Sequence, residues 1–143
     1  MIRIRIGMAD TSSGANVILV KDGKILLLLR SKKSSWKPDM YGPPGGHVDS
    51  GETPVQAAVR ETYEESGLVV KAADLKPLLQ RTKHNFGMIY YFITDKFTGD
   101  GVGITLSNEH HGFAWVGMDR IDNYDTIFEA HELAVIKKAL LSY

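Results

Sequence analysis

Hydrophobic residues occur in short runs that alternate with polar, glycine-rich segments along the chain. Two runs, ANVILV and ILLLLR, lie between Ala15 and Arg30 and flank Asp22-Gly23, a dipeptide typical of tight turns between antiparallel strands. The segments DLKPLLQRT, GMIYYFITDKF and GFAWV also have the composition of strands, with a short KHNF turn between the first two. The pattern predicts a central hairpin, three later strands and an N-terminal edge strand in MIRIRIGMADTS.

A helix is predicted from about residue 54 to 66 by signals at both of its ends. Thr53 can cap the first turn, Pro54 suits the first helical position, and Gln56 stands where a capping box needs its amide. Gly67 is a natural helix terminator. Because start and stop signals agree, this segment is predicted as one helix of about four turns.

A second helical pattern lies near the C-terminus, between Thr126 and Leu141. Its apolar positions are Ile127, Phe128, Leu133, Ala134, Ile136 and Leu140. Strands before, between and after two helices predict an α+β domain. The 143 residues, 43% of them hydrophobic, are enough for one core, and we expect a single domain over residues 1–143.

The first predicted helix carries three glutamates on one face. At about 100° per residue, Glu61, Glu64 and Glu65 fall on one side of the helix. A narrow stripe of apolar or small residues falls on another side and comprises Val55, Ala58, Val59, Thr62 and Ser66. We therefore expect one face to pack against the protein and the other to present three acids.

These three acids repel one another, because residues three and four positions apart are neighbours on a helix. Arg60 is the only cation close enough in sequence to offset the repulsion, and a hard divalent cation would remove it. Mg²⁺ prefers oxygen ligands and often shares its shell with substrate phosphates, and Mn²⁺ could replace it. Zinc fits poorly, because the chain has no cysteine.

The segment GHVDSGETPVQAAVRETYEESGL resembles the signature of the Nudix hydrolases. In that signature a glycine precedes a glutamate by six positions, and Arg-Glu, Glu-Glu, glycine and an apolar residue follow at fixed spacings. The matching residues are Gly46, Glu52, Arg60, Glu61, Glu64, Glu65, Gly67 and Leu68. Thr62 departs from the pattern, which prefers a bulky aliphatic residue there, and we expect slightly weaker packing at this position.

The resemblance implies a fold and a set of metal ligands. The implied fold is a mixed β-sheet sandwiched between α-helices, with the signature helix at the open end. The implied ligands are the carbonyl of Gly45 and the carboxylates of Glu61, Glu64 and Glu65. The same three glutamates are the predicted catalytic acids.

Five further residues complete the site that the resemblance implies. Arg60 orients the acids, and Glu52 is a supporting acid in the preceding loop. Glu109 is the candidate for a further metal ligand or general base, although a lone glutamate beside two histidines is also typical of an exposed loop. Arg30 lies where MutT-like enzymes often have a basic residue that contacts the nucleotide, and His47 lines the site.

The implied activity is metal-dependent hydrolysis of a phosphoanhydride bond in a nucleoside diphosphate linked to another moiety. Some ADP-ribose and diadenosine polyphosphate hydrolases carry a Pro or Tyr downstream of the signature, and the corresponding stretch, residues 83–86, has neither. This favours a MutT-like (d)NTP pyrophosphohydrolase that releases NMP and pyrophosphate. The alternatives are hydrolysis of ADP-ribose, nucleotide sugars or dinucleoside polyphosphates, action on an RNA 5′ end, and a non-catalytic nucleotide-binding module.

Charge and composition limit the kinds of molecule that the protein is expected to bind. Lys plus Arg and Asp plus Glu number 17 each, so no overall positive field recruits an extended nucleic acid. No apolar run approaches the roughly 18 residues that a membrane span needs. The absence of cysteine fits a reducing compartment, and we expect a cytoplasmic protein with a small nucleotide as its partner. The resemblance leaves both a monomer and a homodimer open.

Overall fold

A computed structural model describes residues 13–83, 87–99 and 110–143, which form seven strands, two α-helices and two short 3₁₀ helices. The strands are β1 (Gly14–Lys21), β2 (Lys24–Arg30), β3 (Tyr41–Gly42), β4 (Gly45–His47), β5 (Lys76–Thr82), β6 (Met88–Thr94) and β7 (His110–Gly117). The α-helices are α1 (Pro54–Ser66) and α2 (Ala130–Leu140), and the 3₁₀ helices are Ala72–Asp74 and Ile121–Asn123.

The strands form one mixed sheet with β1 near its centre. Along the sheet the order is β3-β2-β1-β6-β5, and β7 pairs with β2. β6 runs parallel to β1, whereas the other paired strands are antiparallel. The second edge of β1 is shared, because β4 pairs with residues 14–16 and β2 pairs with residues 20–21. The sheet therefore opens beside the first residues of β1.

Side chains of β1 alternate between two hydrophobic cores. Ala15, Val17 and Leu19 pack in the core that includes α1. Ile18 and Val20 face the opposite side and pack in the core that includes α2. Both sides of the sheet are therefore covered by a helix, which confirms the predicted mixed sheet between helices.

The predicted hairpin is confirmed by the backbone at its turn. Asp22 and Gly23 have φ of 53° and 74°, the pair of positive values that a two-residue type I′ turn requires. The turn itself is exposed, whereas most of β1 and β2 is buried. The hairpin therefore runs through the middle of the protein and turns at its surface.

The boundaries of α1 agree with the predicted helix. Thr53 Oγ1 accepts a hydrogen bond from the Gln56 N–H at 3.1 Å, and Gln56 Oε1 accepts one from the Thr53 N–H at 2.9 Å. At the other end Gly67 has φ of 78° and its N–H donates to the Tyr63 carbonyl at 2.8 Å. Both caps are local interactions, which is why the sequence predicts them.

The second helix is shorter than predicted, because it begins at Ala130 rather than at Thr126. Thr126 forms an isolated bridge with Tyr41, and Glu129 then caps the helix in a capping box with Glu132. The short strands β3 and β4 were not predicted, because their segment is rich in glycine and proline. The predicted N-terminal strand and residues 84–86 of the predicted turn lie outside the described residues.

No helix among the residues described in the structure is both long enough and apolar enough to cross a bilayer.

Thr62 carries a buried hydroxyl for which the described residues provide no hydrogen-bond partner. We expect Thr62→Val to raise the free energy of unfolding by about 1 kcal/mol, because valine keeps the shape and removes the unsatisfied polar atom. Urea unfolding of both proteins measures the change. A lower free energy of unfolding for the variant would contradict this assignment.

Ser66→Ala is the matched control for Thr62→Val. The Ser66 hydroxyl, also buried, donates to the Thr62 carbonyl at 2.6 Å and accepts from the Leu68 N–H at 3.1 Å. Its removal should lower the free energy of unfolding by about 1 kcal/mol. The two hydroxyl deletions on one helix face should therefore have opposite signs.

Candidate active site

Three parts of the fold meet at the open end of the sheet. β4 pairs with the first residues of β1, and α1 lies against both strands. Arg30 ends β2 at the same end of the sheet, where it pairs with His110 at the start of β7. The loops around β4 and α1 and the loop after β2 therefore surround one region.

Arg60 of α1 is anchored to the loop that precedes its helix. Its Nε and Nη2 donate to the two carboxylate oxygens of Glu52 at 2.9 and 3.0 Å, and Nη2 also donates to the His47 carbonyl at 2.9 Å. Asp49 lies 3.4 Å from the same nitrogen. The hydrogen bonds from Arg60 hold the pKa of Glu52 below its usual value, and Glu52 followed by Glu61 raises the pKa of Arg60. Glu52 and His47 are thus brought together with Arg60.

The three glutamates of α1 have different surroundings. Arg60 Nη1 donates to Glu61 at 2.7 Å and to Glu64 at 3.0 Å, and these side chains are 14% and 53% exposed. Glu65 is only 6% exposed, and its Oε1 accepts the Gly45 N–H at 2.9 Å. The prediction that the helix presents all three acids on an unpacked face is wrong for Glu65, because β4 covers that carboxylate.

Two adjacent glycines of β4 face opposite sides of the sheet. The space that a Cβ atom at Gly46 would need holds the Glu61 carboxylate. The corresponding space at Gly45 holds the Asn16 Oδ1 atom and the Ala15 carbonyl oxygen. Both positions therefore need glycine for close approach. Gly46 lets α1 reach β4, and Gly45 lets β1 and β4 lie together.

The oxygen donors at this end of α1 fit Mg²⁺ or Mn²⁺ in their chemistry. Glu61, Glu64 and Glu65 supply carboxylates, and β4 supplies backbone carbonyls. Across residues 13–83, 87–99 and 110–143, no three acidic or histidine side chains converge in a group that could hold an ion. Glu61 and Glu64 bond to Arg60 instead. The metal ligands therefore stay a prediction, and Glu109 lies outside the described residues.

Arg30 is held by the loop that follows β2. Its Nε donates to the Trp36 carbonyl at 3.0 Å and its Nη2 donates to Ser34 Oγ at 2.8 Å. Its guanidinium carbon lies 5.0 Å from the centroid of the Trp36 ring, and Lys37 Nζ lies 5.1 Å from the same centroid. The loop thus places two cations around a half-exposed aromatic ring. The predicted contact of Arg30 with a nucleotide stays a prediction.

His110 and Asp49 were not among the predicted site residues. Asp49 lies two residues after His47, in the loop that follows β4, and this proximity is the only feature of the sequence that indicates it. Burial, followed by the charges of Arg30 and His111, lowers the pKa of His110 to about 4. His110 is therefore a neutral side chain at neutral pH, which no pattern in the sequence indicates.

We expect Gly46→Ala to lower the hydrolysis that the family resemblance implies by at least about 10-fold, because a Cβ atom at this position displaces the Glu61 carboxylate. The protein should still fold, since the displaced group is the end of a flexible side chain. Steady-state kinetics and thermal unfolding measure the two effects. Gly112→Ala is the control, because a Cβ atom there meets its nearest neighbours at 3.6 Å. Wild-type kinetics for Gly46→Ala would contradict the role given to this contact.

Comparison with known proteins identifies the family to which the chain belongs and supports its fold. Residues 11–136 match the model of the NUDIX domain. The bis(5′-nucleosyl)-tetraphosphatase (asymmetrical) of Rattus norvegicus is 35% identical over 84 residues, which cover 55% of this chain and 56% of that protein. The protein of the same name from Caenorhabditis elegans is 32% identical over 102 residues, which cover 68% and 71%. The chain thus spans just over half the length of the rat relative.

A solved structure supports the architecture independently of these alignments. The crystal structure of the MutT NUDIX hydrolase from Burkholderia pseudomallei has a TM-score of 0.69 to this protein at 22% identity. The superposition covers 87% of this chain and 95% of that chain. At this identity the likeness establishes the fold.

Proposed function

Because the chain belongs to the NUDIX domain family, we propose that it hydrolyses a phosphoanhydride bond in a nucleoside diphosphate linked to another moiety, with Mg²⁺ as cofactor. The observation that carries this proposal is the group of carboxylates around Arg60. Glu52, Glu61 and Glu64 all bond to this one guanidinium, and Asp49 lies 3.4 Å from it. The single positive charge of Arg60 is therefore outnumbered by the negative charges of the carboxylates around it.

This excess of negative charge has a chemical consequence. A polyphosphate cannot approach several carboxylates unless a cation offsets the repulsion. The residues that would hold such a cation are Gly45, through its carbonyl, and Glu61, Glu64 and Glu65. When bound, Mg²⁺ neutralises charge on the phosphates and lowers the pKa of a coordinated water.

The protein side chains have separate tasks in this proposal. Arg60 holds Glu61 close to β4 and ties α1 to the preceding loop through Glu52. The Gly45 N–H fixes one oxygen of Glu65. Glu64 is the most exposed of the three glutamates of α1, so it can exchange its contact with Arg60 for a ligand without disturbing the core. In this proposal residues 1–143 form a single hydrolase domain.

We propose a nucleoside triphosphate as the substrate, cleaved to NMP and pyrophosphate in a MutT-like reaction. The loop from residue 31 to 40 supports this proposal, because it follows Arg30 at the site end of the sheet and carries three lysines, and cations there attract phosphates. The lysines are Lys32, Lys33 and Lys37.

Dinucleoside polyphosphates are the second candidate class. The relatives from rat and C. elegans both bear the name bis(5′-nucleosyl)-tetraphosphatase, at 35% and 32% identity. The same cationic loop suits the longer phosphate chain of such a substrate. The two candidates differ in their products, so one assay separates them.

The deciding experiment is chromatographic analysis of products after incubation with Mg²⁺. The panel contains canonical and oxidised nucleoside triphosphates, dinucleoside polyphosphates, ADP-ribose and nucleotide sugars. Formation of NMP and pyrophosphate supports the first candidate, and cleavage of dinucleoside polyphosphates in preference to triphosphates supports the second. Activity should disappear with EDTA. Nucleotide binding without any product would overturn the proposed hydrolysis in favour of a binding module.

A further inference from the structure

The loop that follows β2 is closed at its base and held together by hydrogen bonds inside it. At the base, the Arg30 N–H donates to the Met40 carbonyl at 2.9 Å, and the Asp39 N–H donates to the Arg30 carbonyl at 3.2 Å. Inside the loop, Ser34 Oγ accepts from Arg30 Nη2 at 2.8 Å and donates to the Trp36 carbonyl at 2.8 Å. Arg30 Nε donates to the same carbonyl at 3.0 Å. The shape of the loop is therefore set largely by its bonds to Arg30.

Two residues of this loop have a backbone conformation that is unfavourable for them. Lys37 and Asp39 have φ of 45° and 60°, in the left-handed region that residues other than glycine rarely adopt. Lys37 also precedes Pro38, and a proline favours extended backbone at the residue before it. Strain of this kind persists only where surrounding contacts enforce it, and it is concentrated at functional sites. The conformation of Lys37 therefore indicates that the loop does more than connect β2 to β3.

The loop brings two cations together around Trp36. Arg30 Cζ and Lys37 Nζ lie 5.0 and 5.1 Å from the centroid of its ring, within the range over which a ring attracts a cation. In the part of the chain that the structure describes, no carboxylate forms an ion pair with either cation. Asp39, the only acid in the loop, lies 3.4 Å from His111 instead. Two positive charges therefore share one ring without a counter-ion among the described residues.

The Arg30 guanidinium has donors left for a ligand. An arginine has five N–H groups, and the described residues accept from only two of those of Arg30, one on Nε and one on Nη2. The remaining donors form a fork that matches the oxygens of a phosphate, and the ammonium of Lys37 adds a point charge beside it. An oxyanion bound here would satisfy these donors and remove the repulsion between the two cations.

We propose that Arg30, Trp36 and Lys37 form a phosphate-binding subsite that selects substrates with at least three consecutive phosphates. Arg30 and Lys37 bind the phosphate, and Trp36 is a positioning residue that holds Lys37. The loop leads through β3 into β4, whose glycines contact Glu61 and Glu65. The carboxylates of α1 and their metal ion serve the diphosphate that is cleaved, and the subsite takes a further phosphate. ADP-ribose and nucleotide sugars have no such phosphate. The selectivity rests on the proposed function, whereas phosphate binding by the loop does not.

Binding of inorganic tripolyphosphate in metal-free buffer tests the subsite apart from hydrolysis. Calorimetry gives the dissociation constant, and an NMR titration follows the indole N–H signals of the two tryptophans. The Trp36 signal should shift, whereas the signal of Trp115, whose ring stacks on Phe97, should not. Lys37→Gln should weaken binding about 5-fold. The matched control is Lys24→Gln, which removes an exposed lysine at the other end of β2 and should change the affinity by less than about 1.5-fold.

Substitutions of Trp36 test its positioning role by calorimetry. Trp36→Leu should weaken tripolyphosphate binding about 3-fold, because Lys37 loses the ring that holds it. Trp36→Phe keeps an aromatic face and should bind within about 1.5-fold of the wild type. Both variants should fold, because the ring is half-exposed and the hydrogen bonds to Arg30 and Ser34 use the backbone carbonyl. Equal losses in Trp36→Leu and Trp36→Phe would overturn the role of the ring. Unchanged affinity in Lys37→Gln, or an equal loss in Lys24→Gln, would overturn the subsite.

Kinetics with ADP-ribose and with the nucleoside triphosphate that the wild type cleaves fastest test the selectivity. Lys37→Gln should raise KM for the triphosphate about 5-fold with little change in kcat, and it should leave KM for ADP-ribose unchanged. Where the wild type does not cleave ADP-ribose, its inhibition constant replaces KM. An equal change for both compounds would overturn the selectivity. If the wild type cleaves no nucleotide, the proposed function fails, and the tripolyphosphate measurements still decide whether the subsite exists.

Discussion

Glu64→Gln should reduce the rate of nucleotide hydrolysis by at least about 100-fold and leave the free energy of unfolding nearly unchanged. Its side chain is 53% exposed and contacts Arg60 at 3.0 Å. An exposed ion pair of this kind contributes little to stability. Glutamine has the same shape but no charge, so it cannot act as a carboxylate ligand. Steady-state kinetics at saturating Mg²⁺ and urea unfolding give the two values.

Asp122→Asn is the control for this charge removal. Asp122 is an exposed carboxylate of the 3₁₀ helix that follows β7, at the end of the sheet where Gly117 pairs with Lys24. This end is opposite to the candidate active site, so hydrolysis should match the wild type. If Glu64→Gln also retained wild-type turnover, the assignment of Glu64 as a metal ligand would be wrong.

Arg81→Met should lower the free energy of unfolding by about 3 kcal/mol at neutral pH. Glu132 is completely buried, and Arg81 Nε donates to it at 2.8 Å. Methionine fills much of the same space but leaves the buried carboxylate without its cation. For a chain of this length, the expected fall in Tm is about 10 °C. Thermal and urea unfolding measure the loss.

A second substitution distinguishes the unpaired charge from lost packing. The double variant Arg81→Met/Glu132→Gln should recover most of the stability, because glutamine keeps an acceptor for the Glu129 N–H and carries no charge. Arg120→Met removes an exposed arginine and should change the free energy of unfolding by less than about 0.5 kcal/mol. A double variant as unstable as Arg81→Met would show that the guanidinium matters for packing rather than for charge.

The parts of the fold that the sequence predicts correctly depend on neighbouring residues. The α1 boundaries follow from Thr53, Gln56 and Gly67, which interact within their own turns. The hairpin follows in the same way from Asp22-Gly23. In both cases the chemistry that ends the element lies within a few residues of it, so a linear pattern contains the necessary information.

The parts that were missed depend on contacts between distant residues. The helical pattern predicts that Glu65 is an exposed acid. Its carboxylate is instead buried and accepts the N–H of Gly45, which lies 20 residues away in the sequence. Glu132 lies in a helical pattern as one polar residue among others, and its burial depends on Arg81, 51 residues away. The alternation of apolar and polar residues predicts on which side of a helix or strand a side chain lies. It does not predict which distant residue that side chain contacts. Periodicity placed Glu61, Glu64 and Glu65 on one face of the helix, and the resemblance to a family added Glu52 of the preceding loop to this group of acids.

The hairpin turn at Asp22-Gly23 offers a place to attach the protein to a surface or a label. β1 runs from Gly14 beside the candidate active site to Lys21 at the turn, which is roughly 23 Å for seven steps of an extended strand. A Cβ atom at Gly23 would meet no atom within 4 Å, and the turn is exposed. An inserted peptide tag there projects into solvent and stays far from Arg60. The protein can therefore be immobilised with its reactive end facing the solution.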